Sequence, residues 1–180
     1  LIAPNLIRDL IPSGLDQIWV ADITYIHMQE AFAYLAIVLD AFSRRMVGWA
    51  LGEHLRAELA IEALDMALLE RRPNPQSLIH HSDRGVQYAC NDYSKRLADH
   101  AIQPSMSAPG NPYHNAKAES FMKTLKKEEV NASDYRTISE ARSNIRLFLE
   151  TTYNRQRLHS ALGYKPPVEF EAELRQAQTN

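Results

Sequence analysis

Residues 19–51 read WVADITYIHMQEAFAYLAIVLDAFSRRMVGWAL. They contain three consecutive segments with the composition of β-strands. We predict strands over Trp19–Ile26, Phe32–Asp40 and Arg45–Leu51. The second segment is almost entirely apolar, which indicates a central strand covered on both faces. The sheet of this protein is therefore expected to begin with three strands in a row.

The chain after residue 51 alternates between predicted helices and strands. Apolar side chains recur at helical spacing in Arg56–Arg71. A short strand over Ser77–His81, a helix over Asp92–His100 and a short strand over Gln103–Ser107 follow. Three strands followed by helix–strand alternation favour an α/β protein with a mixed sheet of about five strands and helices on both faces. This order of elements matches the ribonuclease H-like fold.

A further helix is predicted within SMSAPGNPYHNAKAESFMKTLKKEE, residues 105–129. One face of this helix is apolar: Ala118, Phe121, Met122 and Leu125. Glu119, Lys123 and Lys126 share an adjoining face, so a carboxylate that can bind metal lies beside two cations. Taken alone, this pattern is more typical of a solvated Glu–Lys pair one helical turn apart.

Two aspartates upstream change that interpretation. Asp22 lies inside the first predicted strand, where burial of a carboxylate is unfavourable unless a partner compensates it. A divalent cation or a set of structural hydrogen bonds would do so. Asp83 follows the strand over Ser77–His81, at a glycine turn where side chains from neighbouring strands can converge. Sixty residues separate Asp22 from Asp83, and 35 separate Asp83 from Glu119.

Other candidate ligands have weaker sequence support. Asp40 lies in a turn with Ser43, which favours a turn role over that of a fourth acidic ligand. His80, His81 and Cys90 lack the spacing of a zinc site.

Composition excludes several classes of protein. The 180 residues are 45% hydrophobic and 23% charged, as in ordinary globular domains. A single cysteine rules out an intramolecular disulfide and fits a reducing cytoplasm, and no apolar run reaches the roughly 18 residues that span a bilayer. The net charge of −2 is unusual for a nucleic-acid binder. Residues 115–160, however, carry nine Lys or Arg against six Asp or Glu, which is compatible with local phosphate contacts.

Three stretches together resemble the DDE transposase and retroviral integrase superfamily, and most closely the integrase core of OrfB-type transposases of bacterial insertion sequences. They are WVADITYI with AYLAIVLDAFSRRMVGWAL, then HHSDRGVQY, then GNPYHNAKAESFMKTLKKE followed by YNRQRLHSALGYKPPVEFE. The interval before Glu119 is also typical of that superfamily. The resemblance implies metal-dependent cleavage and joining of DNA strands at insertion-element ends, in the bacterial cytoplasm at the nucleoid.

The resemblance also implies roles for individual residues. Asp22, Asp83 and Glu119 match the catalytic carboxylates, which would hold two Mg²⁺ or Mn²⁺ ions. Lys126 matches a basic position near the DNA end. We expect five residues to contact DNA: Lys117, Lys123, Lys126, Lys127 and Arg157.

The expected organisation is a tail or linker over residues 1–16, a catalytic core over 17–171 and a C-terminal tail over 172–180. The loop Ala108–Asn115 is expected to be mobile and to settle when DNA or metal binds. The resemblance implies an N-terminal DNA-binding region in the full-length protein, ahead of these residues, and self-association into multimers; no membrane partner is expected. Two alternatives stay open: a hydrolytic nuclease with the same fold, and a non-enzymatic remnant that binds DNA or oligomerises.

Overall fold

A mixed β-sheet forms the centre of the molecule. The computed structural model describes residues 1–108 and 115–179, and within them the sheet has five strands. These are β1 (Ile18–His27), β2 (Phe32–Asp40), β3 (Met46–Gly52), β4 (Ile79–Ser82) and β5 (Gln103–Met106). Their order is β3-β2-β1-β4-β5; β1 and β3 each pair antiparallel with β2, whereas β4 pairs parallel with β1 and with β5. The predicted mixed sheet is confirmed.

Helices connect and follow the strands. They are α1 (Ala57–Arg71), α2 (Val86–Ala89), α3 (Asn91–Asp99), α4 (Ala116–Glu128), α5 (Ile138–Leu147) and α6 (Pro167–Thr179). A π-helical segment, Phe148–Gln156, continues α5 directly. In the described ranges, no helix has both the length and the apolar character needed to cross a membrane.

Two hydrophobic cores lie on opposite faces of the sheet, because successive side chains of a strand point to opposite sides. From β1, Val20 and Ile26 pack into one core with α4, α5 and the π-helical segment. Trp19 and Ala21 pack into the other core with α1 and α3. Strand β2 contributes to both, which explains its apolar sequence. Helices therefore cover both faces, as predicted.

Helix α1 packs directly on the backbone of β3. A Cβ atom built on Gly48 would lie 2.1 Å from the Ala63 carbonyl oxygen and 2.9 Å from Ala67. Only glycine leaves room for this approach. The contact fixes α1 against the sheet on the face opposite α4.

A buried ionic network joins distant parts of the chain. The Arg71 side chain at the end of α1 is 2% exposed and pairs with Glu171 of α6 at 2.6 Å, Asp40 at 3.3 Å and Asp16 at 2.8 Å. The Asp40 carboxylate also accepts hydrogen bonds from the backbone amides of Phe42 and Ser43, at 2.9 and 3.0 Å. Its predicted turn role is confirmed.

The ends of the chain pack on the core. Residues 1–16 contain no helix or strand, but the Leu6 amide donates to Ser105 Oγ at 2.8 Å and the Met106 amide donates to the Pro4 carbonyl at 3.2 Å. The boundary predicted after residue 171 falls inside α6. Residues 109–114 of the loop predicted to be mobile lie outside the described residues.

Candidate active site

The sheet brings Asp22 and Asp83 together. Strands β1 and β4 run parallel side by side, and Val20 is in register with His81. Asp22 lies two residues beyond Val20, and Asp83 lies two residues beyond His81, just after β4 ends. Both acids therefore reach the same end of the sheet, where they line a cleft of about 280 Å³.

Helix α4 brings Glu119 toward the same place. Its apolar face, which includes Ala118 and Phe121, is buried in the core that also contains Val20 of β1. Glu119 lies in the first turn of α4, and its negative charge acts on Asp22. In the structure, Asp83 and Glu119 are therefore both close enough to Asp22 for their charges to act on it. Over residues 1–108 and 115–179, however, no three His, Cys, Asp or Glu side chains are close enough to form a ready-made metal site.

The surroundings of Asp22 change the pKa of its carboxyl group. Burial raises its pKa to about 6, and the charges of Asp83 and Glu119 add to that increase. The Ile23 amide, which donates to Asp22 Oδ1 at 2.9 Å, and the Lys126 ammonium act in the opposite direction. The net result is a carboxylate that lacks sufficient positive charge around it.

The acids keep their oxygens available. Asp83 is exposed, and its Oδ1 accepts the Gly85 amide at 2.7 Å. A Cβ atom on Gly85 would lie 2.8 Å from that oxygen, so a larger residue there would displace the Asp83 carboxylate. In the part of the chain that the structure describes, no ion pair involves Asp22, Asp83 or Glu119.

Mg²⁺ and Mn²⁺ suit this set of side chains. Both ions prefer hard oxygen ligands, and a cation would relieve the repulsion that raises the pKa of Asp22. The residues therefore fit these ions in their chemistry. Binding by all three carboxylates requires their side chains to move closer together than they are here.

Three of the five basic residues predicted to contact DNA have side chains near the cleft or open to solvent. Lys126 Nζ lies 4.6 Å from the centre of the Tyr25 ring, and Tyr25 lines the cleft. Lys123 and Lys127 are exposed on the same helix, α4. The geometry thus leaves these ammonium groups available to an anion.

The other two basic residues have partners within the protein. Lys117 Nζ is partly buried and donates to the Ala41 carbonyl at 2.8 Å, and burial lowers the pKa of this ammonium. Arg157 pairs with Glu128 at 3.0 Å. Both contribute to the folded structure, and contact with DNA by either one stays a prediction.

Sequence reasoning did not single out Tyr88. This residue lines the cleft with both aspartates, and its hydroxyl is buried without a hydrogen-bond partner in the described ranges. Its presence in the stretch HHSDRGVQY was the available signal. Its packing against the rings of His80 and Tyr93 becomes visible only in the tertiary structure.

Comparison with known proteins agrees with this arrangement. The Integrase core domain family matches residues 12–112 and, in a second profile of the same description, residues 100–167. The chain is 41% identical over 172 residues to the transposase for insertion sequence element IS904 of Lactococcus lactis, covering 95% of this chain and 68% of that protein. It is 40% identical over 171 residues to transposase InsF for insertion sequence IS3A of Escherichia coli, covering 94% of this chain and 59% of that protein.

Solved structures share the fold. A chain in the structure of the simian T-cell lymphotropic virus intasome in complex with PP2A regulatory subunit B56 gamma superposes with a TM-score of 0.71 at 18% identity, covering 94% of this chain and 58% of that one. The structure of the HTLV-2 integrase catalytic core domain in complex with magnesium gives a TM-score of 0.62 at 13% identity. The match covers 86% of this chain and 95% of that one. The ribonuclease H-like fold is thereby confirmed, and the chain belongs to the integrase core domain family.

Proposed function

We propose that this chain is the metal-dependent catalytic core of an insertion-sequence transposase, which cleaves and joins DNA strands by in-line transesterification. The observation that carries this proposal is that Asp22 and Asp83 line one cleft of an integrase-type sheet, where the charges of Asp83 and Glu119 act on Asp22. The similarity to named transposases over nearly the whole chain supports it. DNA is the proposed partner, and self-association on paired DNA ends is part of the proposal.

The three carboxylates would hold Mg²⁺ or Mn²⁺. Bound ions of this kind lower the pKa of an attacking hydroxyl or water and stabilise the leaving oxygen. Adjacent strands give Asp22 and Asp83 a rigid base, and Glu119 approaches from α4. The amides of Ile23 and Gly85 hold one oxygen of each aspartate, which limits how those side chains rotate.

Lys126 would bind a phosphate beside the cut. Its ammonium lies over the Tyr25 ring in a cation–π interaction. This contact keeps the positive charge at the mouth of the cleft, which Tyr25 lines. Exposed Lys123 and Lys127 would extend this positive strip along α4. The charge of Lys126 also opposes the rise in the pKa of Asp22, so the lysine is close enough to influence the acids.

We expect Lys126→Ala to weaken DNA binding and to reduce the slope of log Kd against log salt by about 1, because one phosphate contact is lost. Fluorescence anisotropy over a range of salt concentrations measures both quantities. Lys95→Ala is the matched control, because it removes the same charge from exposed helix α3 outside the cleft. Equal effects of the two substitutions would reject a specific role for Lys126.

A strand-transfer assay tests the proposed reaction. The protein is incubated in Mn²⁺ with a pre-cut DNA end that carries the terminal repeat of its element, together with a target duplex. We expect joined products. Cleavage without joining would instead indicate a hydrolytic nuclease, and DNA binding with neither reaction would indicate a non-enzymatic remnant.

A further inference from the structure

Tyr88 carries a polar group that the fold leaves without a partner. The residue is 3% exposed, and its hydroxyl oxygen has no hydrogen bond in the described part of the chain. A buried hydroxyl in this state costs free energy, since it has lost its water and gained nothing in exchange. Such groups in native proteins often have a function that the resting structure does not display.

The surroundings of Tyr88 hold its ring in place. The ring contacts Tyr93 edge to face, with centroids 5.1 Å apart, and lies 6.2 Å from the ring of His80. The Tyr93 hydroxyl and His80 Nε2 bond to each other at 2.8 Å. The polar groups of Tyr93 and His80 therefore satisfy one another, and the Tyr88 hydroxyl has no partner in the described ranges.

Tyr88 shares a cleft with two of the predicted carboxylates. Tyr88, Asp22 and Asp83 line the same cleft. In the described ranges, Asp22 accepts one hydrogen bond, through Oδ1 from the Ile23 amide, and its Oδ2 accepts none. The cleft is therefore lined both by a residue whose buried hydroxyl has no acceptor and by a carboxylate with one oxygen that has no donor in the described ranges.

We propose that Tyr88 is a positioning residue for the metal-binding carboxylates: when they close around a divalent cation, its hydroxyl donates a hydrogen bond to Asp22 and fixes the orientation of that carboxylate. This inference rests on the proposed function, because it assumes that Asp22 binds a cation. It also includes a movement of the three acids toward one another, because the described residues contain no ready-made group of three such ligands.

The hydroxyl is suited to this task. A phenol hydroxyl can donate a hydrogen bond to a carboxylate oxygen, and in the described ranges the Tyr88 hydroxyl has no other partner. Hydrogen bonds to metal-binding side chains orient them, and loss of one typically weakens metal binding about 10- to 100-fold.

Tyr88→Phe removes the hydroxyl and keeps the ring. We expect its Kd for Mn²⁺, measured from the electron paramagnetic resonance signal of free Mn²⁺, to rise at least about 10-fold. We expect the Tm of the metal-free protein to stay equal or to increase, because a buried group without a partner has been removed.

Tyr93→Phe is the matched control. It removes a buried hydroxyl from a neighbouring tyrosine, but this hydroxyl bonds His80 and does not line the cleft. We expect a lower Tm and an unchanged Kd for Mn²⁺. Opposite outcomes at Tyr88 and Tyr93 would separate a role at the acids from a role in packing.

Three results would overturn the inference. If the wild-type protein joins DNA strands and Tyr88→Phe binds Mn²⁺ equally well, the inference fails and the proposed function stands. If Tyr88→Phe lowers the Tm as Tyr93→Phe does, the hydroxyl already has a structural partner. If the wild-type protein neither binds Mn²⁺ nor joins strands, both proposals fail together.

Discussion

Asp22→Asn is expected to abolish strand transfer and, at the same time, to stabilise the metal-free protein at pH 7. Activity is lost because an amide is a poor ligand for Mg²⁺ or Mn²⁺ and carries no charge to balance the cation. Stability rises because the amide removes a buried negative charge that Asp83 and Glu119 repel. A residue that destabilises the fold but is required for the reaction is typical of an active site.

The direction of the pH dependence follows from the pKa of Asp22. It is about 6 in the folded protein, compared with an ordinary value of 3.8. The folded state therefore holds this proton more tightly than the unfolded state does. The resulting stabilisation is fully present below about pH 4 and is lost as the pH rises through about 6, by up to about 3 kcal/mol at 1.36 kcal/mol per unit.

Urea unfolding between pH 4 and pH 8 without metal measures this effect. The free energy of unfolding of the wild-type protein should fall over that range by more than that of Asp22→Asn. Asp99→Asn is a suitable control, because Asp99 is an exposed acid whose pKa is lowered by its hydrogen bond with Lys95. Wild-type turnover by Asp22→Asn, or lower stability of this variant at pH 7, would contradict the assignment.

Arg71→Met is expected to destabilise the protein by about 3–5 kcal/mol, the usual result of removing one partner from a buried ion pair. Asp40 and Glu171 are fully buried and would lose their shared guanidinium. The N-terminal segment would also lose an anchor, since Arg71 pairs with Asp16. Helix α6 should therefore loosen together with that segment.

Arg175→Met provides the comparison. Arg175 contacts the same Glu171 at 3.4 Å, but its side chain is 58% exposed. An exposed ion pair contributes at most about 1 kcal/mol, so we expect a small change. Urea unfolding of both variants measures the difference. A loss below about 1 kcal/mol for Arg71→Met would show that the buried network contributes little to stability.

The secondary structure was largely predictable because its signals are local. The segments that form β1 and β2 were predicted as strands, and the apolar run of β2 predicted a central position, which the pairing of β2 between β1 and β3 confirms. The helix that begins beside Glu119 follows from its apolar stripe, and α4 covers that segment. Asp40 was correctly interpreted as a turn residue, since short polar side chains commonly bond nearby amides.

Pairings between distant residues were not predictable in this way. Lys117 has the sequence context of a DNA-contacting lysine, but its ammonium bonds a backbone carbonyl 76 residues away. Arg157 lies in a basic segment and pairs with Glu128. Nothing local indicates these partners, because they depend on how α4 and the C-terminal segment pack on the sheet.

The sequence by itself determined the elements, the family resemblance and the three acids that deserve testing, because periodicity and motif spacing are properties of neighbouring residues. Tertiary structure alone decided that Asp22 and Asp83 share an end of the sheet, that Arg71 joins four segments, and that Tyr88, with its buried hydroxyl, lines the same cleft as the two aspartates. The physical reason is that burial and Coulomb interactions depend on distance in space, which strand order and helix packing set.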